Sequence, residues 1–369
     1  MSINVLFFMG ENPFPINNGV TVAVAGLANA LVFKADVYIY NYITGNVYQL
    51  GKNGTMVLRE TNIYDTEFYM TICSPILSVK EYFFKFRKKL KTKYLVGMIN
   101  DNYTYVLWRN FVVSKKLGKL NFQEIKGLFK IPYVYLAESF LCSRVNTVMV
   151  QTKVEKRVFN KYFFNMPYIL ISTNGTVCTV NEGQIVLAER SGIGFVASFN
   201  DSYMKVASWF VDNVWVEVIK IRPDLKLHVL GKNTSKFLDY ISKSHQGLVE
   251  TIIVEEYYED ISAFYLKRSV VVSPIFKNYG LINKTVEAMQ CGCIVIGDEA
   301  AFNGLEDIVD GEHCFIANTP SDFTASIINV FSEEDEPDIR LNAYNYISEH
   351  LDWNENAKNL LKSFEINRG

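Results

Sequence analysis

Short apolar runs recur along this chain, and most are followed at once by a segment of helical length. NVLFFM (4–9), DVYIY (36–40), TVMV (147–150) and YILIS (168–172) lie in the first half. IGFVAS (193–198), LKLHVL (225–230), VETII (249–253), VVVS (270–273) and CIVIG (293–297) lie in the second. A run this short and apolar reads as a strand buried on both faces, the mark of a parallel strand covered by helices. The segments between read as helices at 20–33, 74–93, 111–143, 153–163 and 204–220, then at 258–266, 281–290, 321–332, 337–349 and 353–364. Residues 41–62 read as a loop-rich stretch. Strands alternating with helices predict an α/β chain with mostly parallel sheets.

The alternation lapses once. TNGTVCTVNEGQ (173–184) is polar and turn-rich, then the strand–helix rhythm restarts at 193. Two doubly wound, Rossmann-like units are therefore expected, one over 1–178 and one over 186–349, with a last helix in 350–369 packing back on the first. Open sheets of this kind bind ligands beyond the carboxyl ends of their strands, so a cleft between two such edges suits the meeting of two substrates.

Composition narrows the class. With 369 residues, 49% hydrophobic and 21% charged, the chain is neither disordered, collagen-like nor a small disulfide scaffold. The net charge of −2 hides an asymmetry. Residues 1–175 carry 21 Lys+Arg against 10 Asp+Glu, and residues 176–369 carry 16 against 29. The basic half is expected to face an anionic surface or substrate. The six cysteines form no CxxC pair and read as reduced, buried thiols. MSINVLFF lacks a basic leader region, and no stretch approaches ~18 apolar residues, so a cytoplasmic location is expected.

The segment most able to carry chemistry is SPIFKNYGLINKTVEAMQCGCIVIG (273–297): strand end, Gly-containing loop, helix, strand. A helix start presents unpaired N–H groups and a positive dipole end, both suited to phosphate. Lys284 and Glu287 are three apart and share one helix face. Lys284 can pair a diphosphate oxygen, and Glu287 can accept from sugar or ribose hydroxyls. An ordinary i,i+3 surface ion pair is the plainer reading of the same spacing.

GLINKTVEAMQCGCIVIGD resembles the donor-site signature of retaining GT-B glycosyltransferases, family 4 type (glycosyl transferases group 1). AAFNG (300–304) with Asp310-Gly311, FVASFND (195–201), IRPDLKLHVLGKN (221–233) and NPFPINNGVTVAVAGLANAL (12–31) resemble further pieces of that family, in its order. Asn174-Gly175 is similar to the Asn-Gly that closes the family's first domain. The resemblance implies an acceptor-binding first domain and a nucleotide-sugar-binding second one. It implies that Glu287 holds the donor's ribose hydroxyls and Lys284 its diphosphate, with backbone at Gly280 and Leu281 touching phosphate or sugar. Gly19 would bring the first domain's loop to the reacting centre. Ser198, Lys205 and Lys232 are further donor-site candidates, Lys205 as a second diphosphate cation.

Two positions depart from the family pattern. Where the family often has the first Glu of Glu-x7-Glu, this chain has Tyr279, which hydrogen-bonds but carries no charge near neutral pH. The family's first-domain His is also missing, since His228, His245, His313 and His350 all lie in the second half. Asp101, with Asn102 in the polar turn MINDNY, is the candidate nearest to replacing it.

The resemblance implies a transferase that moves a sugar, with retention, from a nucleotide-sugar to a glycan or lipid-linked glycan acceptor. Bacterial surface polysaccharide, meaning O-antigen in lipopolysaccharide or capsule, is the expected product. No Asp-x-Asp and no His–carboxylate cluster is visible, so no metal or other cofactor is expected. A non-catalytic nucleotide- or glycan-binding protein and a nucleotide-sugar epimerase are the alternatives. KEYFFKFRKKLKTK (80–93) interleaves aromatics with seven basic residues, and Lys115–Lys130 adds five lysines. Such a helix suits an anionic membrane surface, which would make the protein peripheral on the inner face of the cell membrane. An ordinary outer helix with its aromatics turned inward is an equal reading. Nucleic acid is not an expected partner, because no base-reading motif accompanies the charge.

Overall fold

The computed structural model describes residues 3–366 except 17, 60–61, 100–101, 256–257, 259, 279 and 333–336. The chain divides into two compact units. The first comprises residues 1–108, 126–175 and 351–369; the second comprises 109–125 and 176–350. Residues 109–125 thus group with the second unit, although the linear boundaries of the sequence assign them to the first.

The first unit is built on eight strands: β1 (Asn4–Met9), β2 (Asp36–Asn41), β3 (Val47–Leu50), β4 (Met56–Arg59), β5 (Glu67–Cys73), β6 (Lys91–Met98), β7 (Thr147–Val150) and β8 (Tyr168–Ile171). They lie in the order β4-β3-β2-β1-β5-β6-β7-β8. The pairs from β2 through β8 are parallel, and β3 and β4 add an antiparallel edge. Three sequence expectations change here. The stretch 41–62 contains the β3–β4 hairpin. EFYMTIC forms β5, although its mixed pattern gives no strand signal. The basic stretch 74–93 is not one helix: Leu77–Glu81 is helical, Tyr82–Phe86 is a π-turn, and β6 begins at Lys91.

One face of this sheet buries Val5, Phe7, Val37, Ile39, Met70 and Ile72 under the helix Gly19–Leu31 and the last helix, Trp353–Ile366. Asn18 starts the Gly19–Leu31 helix by a reciprocal capping box with Thr21. Gly26 and Gly175 make room for Trp353: a Cβ at Gly26 would stand 2.2 Å from the indole, and one at Gly175 would stand 2.7 Å from it. The opposite face buries Leu6, Phe8, Phe68, Val148 and Ile169.

The second unit carries six parallel strands: β9 (Ile193–Val196), β10 (Leu227–Leu230), β11 (Ile252–Val254), β12 (Val270–Ser273), β13 (Ile294–Gly297) and β14 (Phe315–Ile316). Their order is β11-β10-β9-β12-β13-β14. Strand order reverses at β9, which pairs with β10 on one side and β12 on the other. That reversal opens a crevice at the carboxyl edge of β9 and β12. The core of this unit gathers Phe195, Phe210, Trp215, Val229, Phe237, Val272, Ile296 and Phe323. Gly231, just past β10, has φ 143, and a Cβ there would lie 1.8 Å from the Ala197 carbonyl oxygen. Only glycine lets the two strand ends approach so closely. All six cysteines are free and buried.

Candidate active site

The strand–loop–helix segment singled out in the sequence forms the carboxyl edge of β12. From Ser273 the chain runs through residues 274–282 into the helix Asn283–Gln290 and returns as β13. The loop is pinned from below. Asp298, directly after β13, accepts from the Ile275 N–H at 2.9 Å and from the Phe276 N–H at 2.5 Å. The same carboxylate accepts from the Ala301 N–H at 3.2 Å. Burial raises the Asp298 carboxyl despite these backbone donors. Asn303 donates to the Asn278 carbonyl at 2.5 Å, and Asn278 donates to the Gly280 carbonyl. Phe276 sits at φ 66, an unfavourable region for a residue with a Cβ, held there by Asp298 and by an edge contact with Trp209 at 4.6 Å. Ser273 and Thr285 hydroxyls meet at 3.0 Å and tie the strand end to the helix.

No side chain caps the Asn283–Gln290 helix at Ile282, and its first turn holds no acid. One residue in from that end, the Lys284 ammonium is buried and has no hydrogen-bond partner among the described residues. It lies over the Tyr203 ring at 4.9 Å and the Phe195 ring at 5.8 Å. Burial pulls Lys284 down to about 8, against a weaker upward pull from Asp298. A buried cation whose close neighbours are ring faces, with Asp298 acting on it only through its charge, is costly unless an anion arrives. Glu287 does not pair with it. Its carboxylate accepts from the Tyr265 hydroxyl at 3.2 Å, and burial pushes its carboxyl up to about 7. The plainer reading of the spacing, an i,i+3 ion pair, is therefore absent among the described residues: Lys284 lies in the first turn of the helix, and Glu287, one turn on, bonds Tyr265 instead.

Other predicted residues fall as follows. Ser198 is exposed just past β9, and Lys232 is exposed past β10. Leu281 is buried. Lys205 enters as half of an ion pair rather than as an unpaired cation: its ammonium contacts Glu124 and lies 2.9 Å from the Ser114 hydroxyl. Burial would raise the Glu124 carboxyl, but Lys205, Ser114 and the Asn121 N–H outweigh it and hold it below the usual range. Gly19 opens its helix in the first unit, directly after the capping Asn18. Asp101 and Tyr279 lie outside the described residues. A pocket in the second unit, lined in part by Arg109, Ser114, Tyr203, Lys277 and Ile282, opens at the same loop. Sequence reasoning missed Tyr265, Asp298, Asn303 and Glu124. Only Asp298 carried a signal, its place directly after an apolar strand.

Residues 190–333, which include this whole segment, match the family described as Glycosyl transferases group 1. Over nearly its full length the chain superposes on sucrose-phosphate synthase from Thermosynechococcus elongatus with a TM-score of 0.69 at 12% identity, covering 99% of this chain and 98% of that one. Anabaena Alr3699/HepE, solved with UDP and glucose, gives 0.68 at 14% identity, covering 98% and 99%. The chain has the GT-B fold. A mutant of S. aureus TarM, solved with fondaparinux, alpha-GlcNAc-glycerol and UDP, gives 0.63 at 16% identity, covering 88% of this chain and 63% of that one. In sequence, 148 residues are 26% identical to an uncharacterized 44.6 kDa protein in the cps region of Klebsiella pneumoniae. That match spans 39% of this chain and 38% of the relative's length.

Proposed function

We propose that this GT-B protein is a glycosyltransferase that moves a sugar from a nucleoside-diphosphate donor to a glycan or lipid-linked glycan acceptor in bacterial surface polysaccharide synthesis. The observation that carries the reading is the buried Lys284 ammonium, without a hydrogen-bond partner among the described residues, at a helix start that no described side chain caps. A diphosphate supplies the missing anion. The group 1 match over 190–333 and the cps-region relative support the class of chemistry and its setting. The HepE and TarM structures, solved with UDP, favour a nucleoside diphosphate as the occupant.

In this reading the acceptor hydroxyl attacks the anomeric carbon. The bond from that carbon to the diphosphate oxygen breaks, and the hydroxyl proton leaves to the released diphosphate or to solvent. Charge builds on the leaving oxygen. On this reading Lys284 and the unpaired N–H groups of the helix start meet that charge. Glu287 accepts from the ribose hydroxyls, and Tyr265 fixes the carboxylate's direction. Lys205 can serve the diphosphate only by exchanging Glu124 for phosphate. Gly280, Leu281, Ser198, Lys232 and Tyr279 flank the donor, Gly19 brings the first domain's loop to it, and Asp101 is the catalytic candidate in place of the family's first-domain His. Retention of configuration and independence from a metal are parts of the same proposal.

The test is turnover. Incubation with a panel of nucleotide-sugars and a lipid-linked acceptor extract should yield nucleoside diphosphate and a lengthened glycan. Isomerised donor without release would turn the reading to an epimerase, and tight nucleotide binding without either product to a non-catalytic binding protein.

A further inference from the structure

The first unit carries an aromatic surface that its own core does not use. The helix Phe122–Cys142 turns Gly127, Glu138, Ser139 and Cys142 inward. Its outward face presents Phe129 at 82%, Tyr133 at 78% and Leu136 at 56% exposure. These positions are four and three residues apart, so they form one stripe, and one turn on lies Phe140, half-buried against the core. Outer helix faces are ordinarily polar; this one is apolar where water should be.

Phe84, 66% exposed on the 82–86 π-turn, stacks on Phe140 with ring centroids 6.5 Å apart and planes 17° apart. The stripe therefore continues from the long helix onto the basic segment. Cations are attached to the same rings. Arg87 lies over Phe83 at 4.4 Å, and Arg144 lies over Phe140 at 4.4 Å. Lys85, Lys88, Lys89, Lys126 and Lys130 are exposed on the same two segments. The acids of these segments are engaged. Glu81 stays on the face and pairs with one of its lysines, Lys85, at 2.6 Å, leaving Lys88, Lys89, Lys126, Lys130, Arg87 and Arg144 in excess, while Glu124 pairs with Lys205 in the second unit. Glu138 is buried against the Tyr103 and Thr104 N–H groups.

We propose that this surface docks the protein onto a bilayer carrying anionic headgroups. Charge complementarity selects the occupant. Exposed aromatics suit the headgroup–acyl boundary, and lysines flanking them suit anionic phosphate. A second copy of this chain would bring like charges together, and a neutral partner would leave the basic face without counter-charge. Among the described residues no helix is long and apolar enough to cross a membrane, so contact is by surface. The inference stands apart from the transferase reading. It replaces the single amphipathic helix read at 80–93 with a composite face shared with 126–140.

The test is flotation of the full chain with vesicles of neutral phosphatidylcholine, alone or with one-third phosphatidylglycerol. Two variants accompany it, each checked by circular dichroism for unchanged fold. One is F84S/F129S/Y133S/L136S; the other is K85Q/K88Q/K89Q/K126Q/K130Q. The expected result is flotation with anionic vesicles only, weakened by salt, and a loss of at least about tenfold in partitioning for each variant. Equal flotation with neutral vesicles, no flotation, or unchanged flotation of the aromatic variant would overturn the proposal. So would a dimer in light scattering that the aromatic variant dissolves while vesicles capture neither form.

Discussion

At the residue scale, two buried charges three positions apart define what the site can do. Burial brings Lys284 to about 8 and Glu287 to about 7. On the proposed reading, nucleotide binding needs Lys284 protonated and Glu287 ionised. Affinity for a nucleoside diphosphate is therefore expected to fall below pH 7 as Glu287 takes a proton, and above pH 8 as Lys284 loses one. Calorimetric titration from about pH 5.5 to about pH 9.5 reads both limbs, and a flat profile would show that neither group meets the ligand. Stability carries a separate sign. The folded-state carboxyl of Glu287 is raised, so its stability contribution is fully present below the unfolded value and is lost as pH rises through about 7. Glu287→Gln removes that loss. Its melting temperature relative to the parent is expected to be higher at about pH 8 than at about pH 5.

Lys284 and Glu287 were legible because an i,i+3 pair after a strand and a Gly loop is a local pattern. Their partners were not. Tyr265 reaches Glu287 from 22 residues away, and Glu124 reaches Lys205 from 81 away. Such contacts are set by packing and leave no spacing to read.

At the element scale, the start of the loop after β12 is held by one carboxylate, that of Asp298. Asp298→Ala leaves the Ile275 and Phe276 N–H groups without it, while the Ala301 N–H keeps the backbone carbonyl of residue 298 at 2.9 Å, and a buried donor left unpaired costs about 1–3 kcal/mol. Since these groups can partly relax, a loss of roughly 2–4 kcal/mol is expected by urea denaturation, with weaker nucleotide binding. Gly231→Ala is expected to cost at least about 2 kcal/mol, because the new Cβ meets the Ala197 carbonyl in a backbone conformation that only glycine adopts readily. An unchanged denaturation midpoint would contradict the close approach of those strand ends.

Five of the six parallel strands of the second unit were legible as short apolar runs because they are largely buried, whereas β14, only two residues long, was not. Nor were β5 and β6. EFYMTIC mixes a charge with two aromatics, and KTKYLVGM begins in the lysine run that the eye joins to the preceding helix. Lysines at a strand's exposed end carry no periodicity, so the basic run masked the boundary between π-turn and strand.

At the scale of the whole molecule, the chain's last segment returns to its first unit. Ala357, Leu360 and Phe364 are fully or almost fully buried there. Removing residues 352–369 would expose the β-sheet face beneath them. Loss of Leu360 and Phe364 alone is worth roughly 3–6 kcal/mol at about 1.5–3 kcal/mol per large buried side chain. The truncated chain is expected to be cut by protease first within residues 1–175 while 176–350 persists. Even cutting across both units would contradict the grouping. The two-unit plan was legible from the polar lapse at 173–184, whereas the transfer of 109–125 to the second unit was not, since it rests on contacts such as Lys205 with Glu124.

The most direct measurement is calorimetric binding of UDP, GDP, ADP and CMP to the parent chain and to Lys284→Ala at about pH 7.5, where the ammonium is still largely protonated. Binding of one nucleoside diphosphate, weakened at least about tenfold in the variant, is the expected result, since a charge-assisted hydrogen bond is worth about 1.5–3 kcal/mol. Binding of equal strength in parent and variant would contradict the assignment of the buried ammonium as the phosphate-binding group.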